Sequence, residues 1–231
     1  MISIIVPCRF RVDLTQVCID SILKYTKDFE LILVQEGVDE ELTALLKSYN
    51  TKFVHNEDPK GYAGALNEGL KLAEGDYYCF LNNDTVATPG WMDEMMKAFD
   101  DKEVGLISPT FWGTGDRQSI EWNDGRRFDY VLNPYCLIGV CFLVKKEVIE
   151  KVGRWDDTFV HGGEDIDMTM RISDAGYALV IARRAFIYHY GGASTRELYK
   201  DSKTAVEKFI ENIEKLEKKH GIELKSKYNI K

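Results

Sequence analysis

Three short stretches of this 231-residue chain carry side chains with chemistry to offer. In Phe80-Leu81-Asn82-Asn83-Asp84-Thr85 a carboxylate beside two amides follows an apolar run. A carboxylate at the end of a buried strand is an oxygen ligand for Mg2+ or Mn2+, which take one or two protein carboxylates and fill their shell with phosphate and water. Asn-Asn-Asp-Thr is equally good turn chemistry. In His161-Gly162-Gly163-Glu164-Asp165-Ile166-Asp167, three carboxylates fall within four residues behind a glycine pair. One of them could act as general base toward a bound hydroxyl. Acidic residues in a first helical turn are also what the helix dipole favours. The third stretch, Ile187-Tyr188-His189-Tyr190-Gly191-Gly192, ends a strand with a histidine. A lone strand histidine is ordinarily a packed one, but beside Asp84 it would give a mixed O/N site with open positions.

Other chemistries lack their signatures. No H-x-x-x-H or H-E-x-x-H points to zinc. There is no G-x-x-x-x-G-K-S/T P-loop, and Pro7-Cys8-Arg9 stands where a G-x-G-x-x-G would follow the first strand. No G-x-S-x-G elbow occurs.

The elements that must hold these residues alternate. Buried strands are expected at Ile2 to Val6, Phe29 to Val34, Lys52 to His55, Tyr77 to Leu81 and Val104 to Ser108. Between them fall helices: one capped by Asp13, one carrying Leu42, Leu45, Leu46 and Tyr49, Gly61 to Leu72, and one starting at Thr88-Pro89. Such alternation implies an α/β fold with a mixed, mostly parallel central sheet flanked by helices, whose ligands sit at the carboxyl ends of the strands. The later chain reads as an aperiodic segment from Phe111 to Asn133, strands at Leu137 to Val144, Tyr177 to Ile181 and Ala185 to Tyr190, and a helix from Glu164 to Ala175. A terminal helix striped by Val206, Phe209, Ile210, Ile213 and Leu216 would dock on the domain or on a second copy, making a homodimer. The whole is read as one domain in three parts: 1–110, 111–195 and the terminal helix 196–231.

The composition narrows the class. With 30 basic and 38 acidic side chains the net charge is −8, which argues against general nucleic-acid binding. Five cysteines without a C-x-x-C fit buried free thiols in a reducing compartment. Pro7 ends the first apolar run at once, so no signal peptide is expected, and the run from Cys136 to Val144 is about half a membrane span. The expected location is cytoplasmic, at most peripheral on the inner membrane face.

Taken in order, the motifs resemble glycosyltransferase family 2, with the GT-A fold, over roughly residues 1–195. Ser3-Ile4-Ile5-Val6-Pro7 looks like the family's opening strand. Glu30 through Gly37 is similar to the strand that ends V-V-D-D/N-G-S, and Asn56 through Gly69 to N-x-G-x-A-x-A-x-N-x-G. Gly75 through Asp84 is similar to the strand entering the D-x-D motif. Gly153-Arg154-Trp155-Asp156-Asp157 and Gly163 through Asp167 resemble G-x-F/W-D-E and the E-D motif. The resemblance implies inverting transfer from a UDP-, dTDP- or GDP-linked sugar to a hydroxyl of a glycan, glycolipid or other acceptor. Asp84 and His189 would hold Mn2+ or Mg2+. Asp165 would be the base, with Glu164 and Asp167 shaping its site. Asn82 and Asn83 would lie near ribose or sugar. Pro7, Arg9, Glu36 and Lys60 would line the nucleoside pocket, with Asn67 contributing from the glycine-rich region.

Two positions depart from the family. Gln35 stands where an aspartate is usual, so either Gln35 or Glu36 must read the base, and Asn82 replaces the first acid of D-x-D. Asn-Asn-Asp-Thr resembles rhamnosyltransferase-like members. Trp112, Arg117, Trp122, Arg126 and Arg127 are expected on the acceptor side. A catalytically silent nucleotide-sugar-binding module and a sugar-nucleotide nucleotidyltransferase are the competing readings. The second normally needs a glycine- and base-rich first loop, and Arg9-Phe10-Arg11 has no glycine.

Overall fold

The computed structural model describes residues 1–112, 118–121, 125–131, 137–159, 162–192, 197–198 and 202–225. Arg117, Trp122, Cys136 and His161 lie outside the described residues.

The first strand, β1 (Ile2–Cys8), is buried along its whole length. Successive side chains of a strand point to opposite faces, so Ile4, Val6 and Cys8 join one apolar cluster and Ile5 the other. Helix α1 (Val12–Tyr25) covers the first face through Cys18, Ile19 and Ile22. Strand β2 (Phe29–Glu36), helix α2 (Glu40–Ser48) and strand β3 (Lys52–Asn56) follow. Helix α3 (Gly61–Leu70) covers the second face through Ala63, Ala65 and Leu66. With β4 (Tyr77–Leu81) these strands form a wholly parallel half-sheet in the order β3-β2-β1-β4.

The second half adds β5 (Thr85–Ala87), α4 (Trp91–Met96) with a 3-10 turn after it, β6 (Val104–Thr110) and β7 (Phe128–Val131). Then come β8 (Cys141–Lys145), α5 (Lys146–Val152), α6 (Glu164–Asp174), β9 (Ala178–His189) and α7 (Ser202–His220). Strand β8 runs antiparallel between β4 and β6, and the sheet continues β4-β8-β6-β9-β5, with β7 on β9. The result is a mixed sheet with helices on both faces: α1, α2 and α4 on one, α3, α5 and α6 on the other. Among the described residues no helix is long and apolar enough to cross a membrane.

Local differences from the sequence reading have physical causes. The two strands expected on either side of Arg183-Arg184 are one strand, β9, whose pairing with β6 shifts register between Pro109 and Thr110. Arg183, 4% exposed, is tolerated there because Asp129 of β7 accepts from it at 2.7 Å. That inward-pointing acid also disguised β7, which lies within the segment read as aperiodic. Helix α1 begins one residue before Asp13, after Arg11 in the left-handed region (φ 48°). Asp13 binds the Arg11 guanidinium at 2.9 and 2.7 Å and caps no amide of the helix by its side chain. Helix α4 starts at Trp91, because Gly90 takes φ 78°.

The terminal helix docks on its own chain. Ile213 and Leu216 are fully buried in a third cluster with Phe159, Ile166 and Met170, whereas Val206 at the other end of the stripe is exposed.

Candidate functional site

A cleft of about 350 Å³ opens at the carboxyl ends of β1, β2 and β4. It is lined by Pro7 and Arg9, Glu36, the run Asn82–Asp84, residues 138–140, the start of α6 and His189.

Asp84 sits in the turn between β4 and β5 and is 5% exposed. Its approach to His189 is dictated by the sheet: β5 pairs antiparallel with the end of β9, Thr85 faces His189, and the Tyr190 N–H donates to the Asp84 carbonyl at 3.0 Å. As a result His189 Nε2 lies 3.3 Å from Asp84 Oδ1. Two adjacent ligands of an octahedral ion with bonds of about 2.1 Å stand about 3.0 Å apart, so the pair is spaced to share Mg2+ or Mn2+. Among the described residues no group of three or more His, Cys, Asp or Glu could hold a metal. A two-ligand site with phosphate and water completing the shell is the usual Mg2+ arrangement.

The flanking amides differ. Asn83 is 6% exposed and donates to Thr15 Oγ1 of α1 at 2.7 Å, pinning the turn. Asn82 donates its backbone N–H to the Val140 carbonyl at 3.0 Å. Its Oδ1 is buried without a hydrogen-bond partner among the described residues, while the residue as a whole lines the cleft. A buried acceptor left unpaired is costly.

Glu36 accepts from Asn56 Nδ2 at 2.6 Å and from the N–H groups of Lys60 and Gly61 at 2.6 and 3.0 Å. Burial nevertheless pushes its carboxyl above the usual range.

Helix α6 starts at Glu164 behind Gly163, which takes φ 94°, a conformation that favours glycine. Glu164 Oε2 accepts from the Gly162 N–H at 2.8 Å. Burial first, and then the charge of Asp165, push Glu164 up to about 7. Asp165 accepts from the Gly139 N–H at 3.0 Å and from the Ile166 N–H at 2.8 Å. Burial raises its carboxyl too, opposed by those two bonds. A carboxylate with raised affinity for a proton, facing a cleft, is suited to general-base work.

Residues 3–153 match the profile of Glycosyl transferase family 2. The chain belongs to glycosyltransferase family 2. A family relative, the O-antigen biosynthesis protein RfbC of Myxococcus xanthus, is 28% identical over 224 residues, covering 84% of this chain. The chain spans only 18% of RfbC's length. The solved structure of GalNAc-T7 with UDP, GalNAc and Mn2+ superposes with a TM-score of 0.71 at 16% identity, covering 82% of this chain and 43% of that one. The mannosyltransferase PcManGT of Pyrobaculum calidifontis, in complex with GDP-Man and Mn2+, gives 0.69 at 17%, covering 84% and 59%. These likenesses establish the GT-A fold.

Of the residues marked by the family 2 motifs, the structure gathers Pro7, Arg9, Glu36, Asn82, Asn83, Asp84, Glu164, Asp165 and His189 around the cleft. It sends four elsewhere. Gln35 is fully buried, donating to the carbonyls of Gly37 and Asp39 and accepting from Thr43, so it shapes the turn after β2. Neighbours on a strand face opposite ways, and Glu36 is the one that faces the cleft. Asn67 clasps the Trp155 backbone through both amide atoms, at 2.9 and 3.1 Å. The Lys60 ammonium pairs with Glu68, leaving only its backbone N–H to the Glu36 interaction. Asp167 has no exposure and is bound by Arg171 at 2.9 Å, Lys219 at 2.7 Å and His220 at 2.8 Å. Its carboxylate therefore ties α6 to α7, and Asp167 is not among the residues that line the cleft.

Sequence reasoning missed Tyr62 and the 138–140 strap, both of which line the cleft. The strap had been absorbed into the apolar run from Leu137 to Val144; its Gly139 was the one signal of a break.

Proposed function

We propose that this chain transfers a sugar from a nucleotide-diphosphate sugar to an acceptor hydroxyl with inversion at the anomeric carbon, assisted by Mn2+ or Mg2+. The supporting observation is one cleft lined by both the Asp84–His189 pair and the partly buried Asp165 carboxylate. The bound ion would supply positive charge to the diphosphate as it leaves. Glu36 and Arg9 are assigned to the nucleoside. Asn82, which lines the cleft, lies near ribose or sugar. Asp165 removes the acceptor proton as the acceptor oxygen bonds to the anomeric carbon; the bond from that carbon to the phosphate oxygen breaks, and its electron pair leaves with the nucleoside diphosphate. A single displacement of this kind inverts the carbon.

GalNAc-T7 and PcManGT are described with different nucleotides and both with Mn2+. That supports the ion and leaves UDP-, dTDP- and GDP-linked donors to be compared. A thermal-shift screen of these sugars with Mn2+ selects the donor, and transfer and donor hydrolysis are then followed by release of the nucleoside diphosphate. Asp165→Asn is expected to abolish transfer while the donor still binds. Transfer at the parent rate by Asp165→Asn would overturn the assignment of the base, and no turnover of any donor by the parent would favour a silent binding module.

A further inference from the structure

The strap at residues 138–140 lies between the Asn82 turn and Asp165, and a different element holds each of its residues. The Ile138 N–H donates to Gln118 Oε1 at 2.6 Å, the Gly139 carbonyl accepts from the Tyr62 hydroxyl at 3.0 Å, and the Val140 carbonyl accepts from the Asn82 N–H at 3.0 Å. The group pointing the other way, the Gly139 N–H, donates to Asp165 Oδ2 at 3.0 Å. Gly139 must be glycine: a Cβ there would stand 2.7 Å from Asp165 Cβ. Without a side chain its φ and ψ are soft, so the place of the strap beside Asp165, and with it that of the 138–139 peptide carrying the N–H, is held from outside, by Gln118 on Ile138 and by the Tyr62 hydroxyl on the 139–140 peptide. The hydroxyl that fixes it comes from α3, an element that otherwise packs on the parallel half-sheet.

We infer that Tyr62 is a positioning residue for the base: by pinning the Gly139 carbonyl, its hydroxyl holds the strap against Asp165, keeps the Gly139 N–H within hydrogen-bond reach and so sets the orientation and proton affinity of that carboxylate. The inference rests on Asp165 being the base. A hydrogen bond donated to a carboxylate favours its charged form, so slackening this one leaves burial less opposed and Asp165 takes up its proton at higher pH. The other titratable or charged groups lining the cleft are Glu164 on the same helix, Asp84, His189, Glu36, Arg9 and Tyr62 itself.

The test uses the whole chain labelled with carboxyl-13C aspartate, with the Asp165 signal assigned from its absence in Asp165→Asn. In Tyr62→Phe the Asp165 midpoint is expected to rise by about half a pH unit or more, and the Gly139 amide to exchange with solvent several-fold faster. Gln118→Asn, which shortens the other support of the strap, is expected to move both in the same direction. An Asp165 midpoint equal to the parent's in both variants would overturn the inference. The underlying reading fails separately: Asp165→Asn that transfers at the parent rate removes the base, whereas an inactive Asp165→Asn with unmoved midpoints in the other two removes only the role of Tyr62.

Discussion

Replacing Asp167 by asparagine should cost stability and leave the cleft chemistry in place. The carboxylate is fully buried and bound by Arg171, Lys219 and His220 at 2.7 to 2.9 Å. Removing one partner of a buried ion pair costs about 3–5 kcal/mol, because the charges left behind stay desolvated. Asparagine keeps one acceptor oxygen, and Lys219 is one-third exposed and screened by water, so the lower end, about 3 kcal/mol, applies. For a chain of this size each kcal/mol moves Tm by about 2–4 °C, giving a fall of about 6–12 °C. Total stability is of order 5–15 kcal/mol, so the loss is large but survivable. Differential scanning calorimetry measures it, with Mn2+ binding at 25 °C as the check that the cleft persists. Lys219 keeps its second partner, Asp156 at 2.6 Å, which holds the loss near that lower end. A Tm within about 2 °C of the parent, or lost Mn2+ binding with Tm unchanged, would refute the assignment of Asp167 to the α6–α7 tie.

The remaining predictions concern the cleft itself. Asp84→Ala and His189→Ala should each weaken Mn2+ binding at least about tenfold by titration calorimetry or electron paramagnetic resonance; affinity unchanged in both would place the ion elsewhere. Glu164, raised to about 7 against about 4.3 in the unfolded chain, makes the native state bind the extra proton between those values, so stability falls as pH rises through that window, by about 4 kcal/mol at most. Glu164→Gln mimics the protonated acid and should flatten this dependence between pH 5 and pH 8 in urea denaturation; equal slopes in parent and variant would contradict it.

Much of the cleft was legible because local patterns fix it. An apolar run ending in Asn82-Asn83-Asp84 could only deliver its carboxylate at a strand end, and a glycine pair before Glu164-Asp165 marked a helix start. Two misplacements were legible in principle from periodicity. Residues 165 and 167 lie about 200° apart around a helix, so when Asp165 faces the cleft Asp167 must face away. Gln35 and Glu36 alternate on a strand, so only one can reach the ligand. What no local pattern encodes is partnership across the chain: the clasp of Asn67 on Trp155, the Tyr62 hydroxyl on Gly139, and the strand β7, whose Asp129 points inward only because Arg183 meets it there.

The pairing of β5 with the end of β9 also sets when the site can exist. Asp84 belongs to a half-sheet whose strands follow one another along the chain, whereas His189 arrives on a strand that must first find its place beside β6, after β8 has been laid between β6 and β4. Contacts so distant in sequence form slowly, because the intervening loop must close before they reward it. The Asp84–His189 contact therefore depends on the second half of the sheet being assembled, and any change that loosens β9 from β6 reaches the cleft through it.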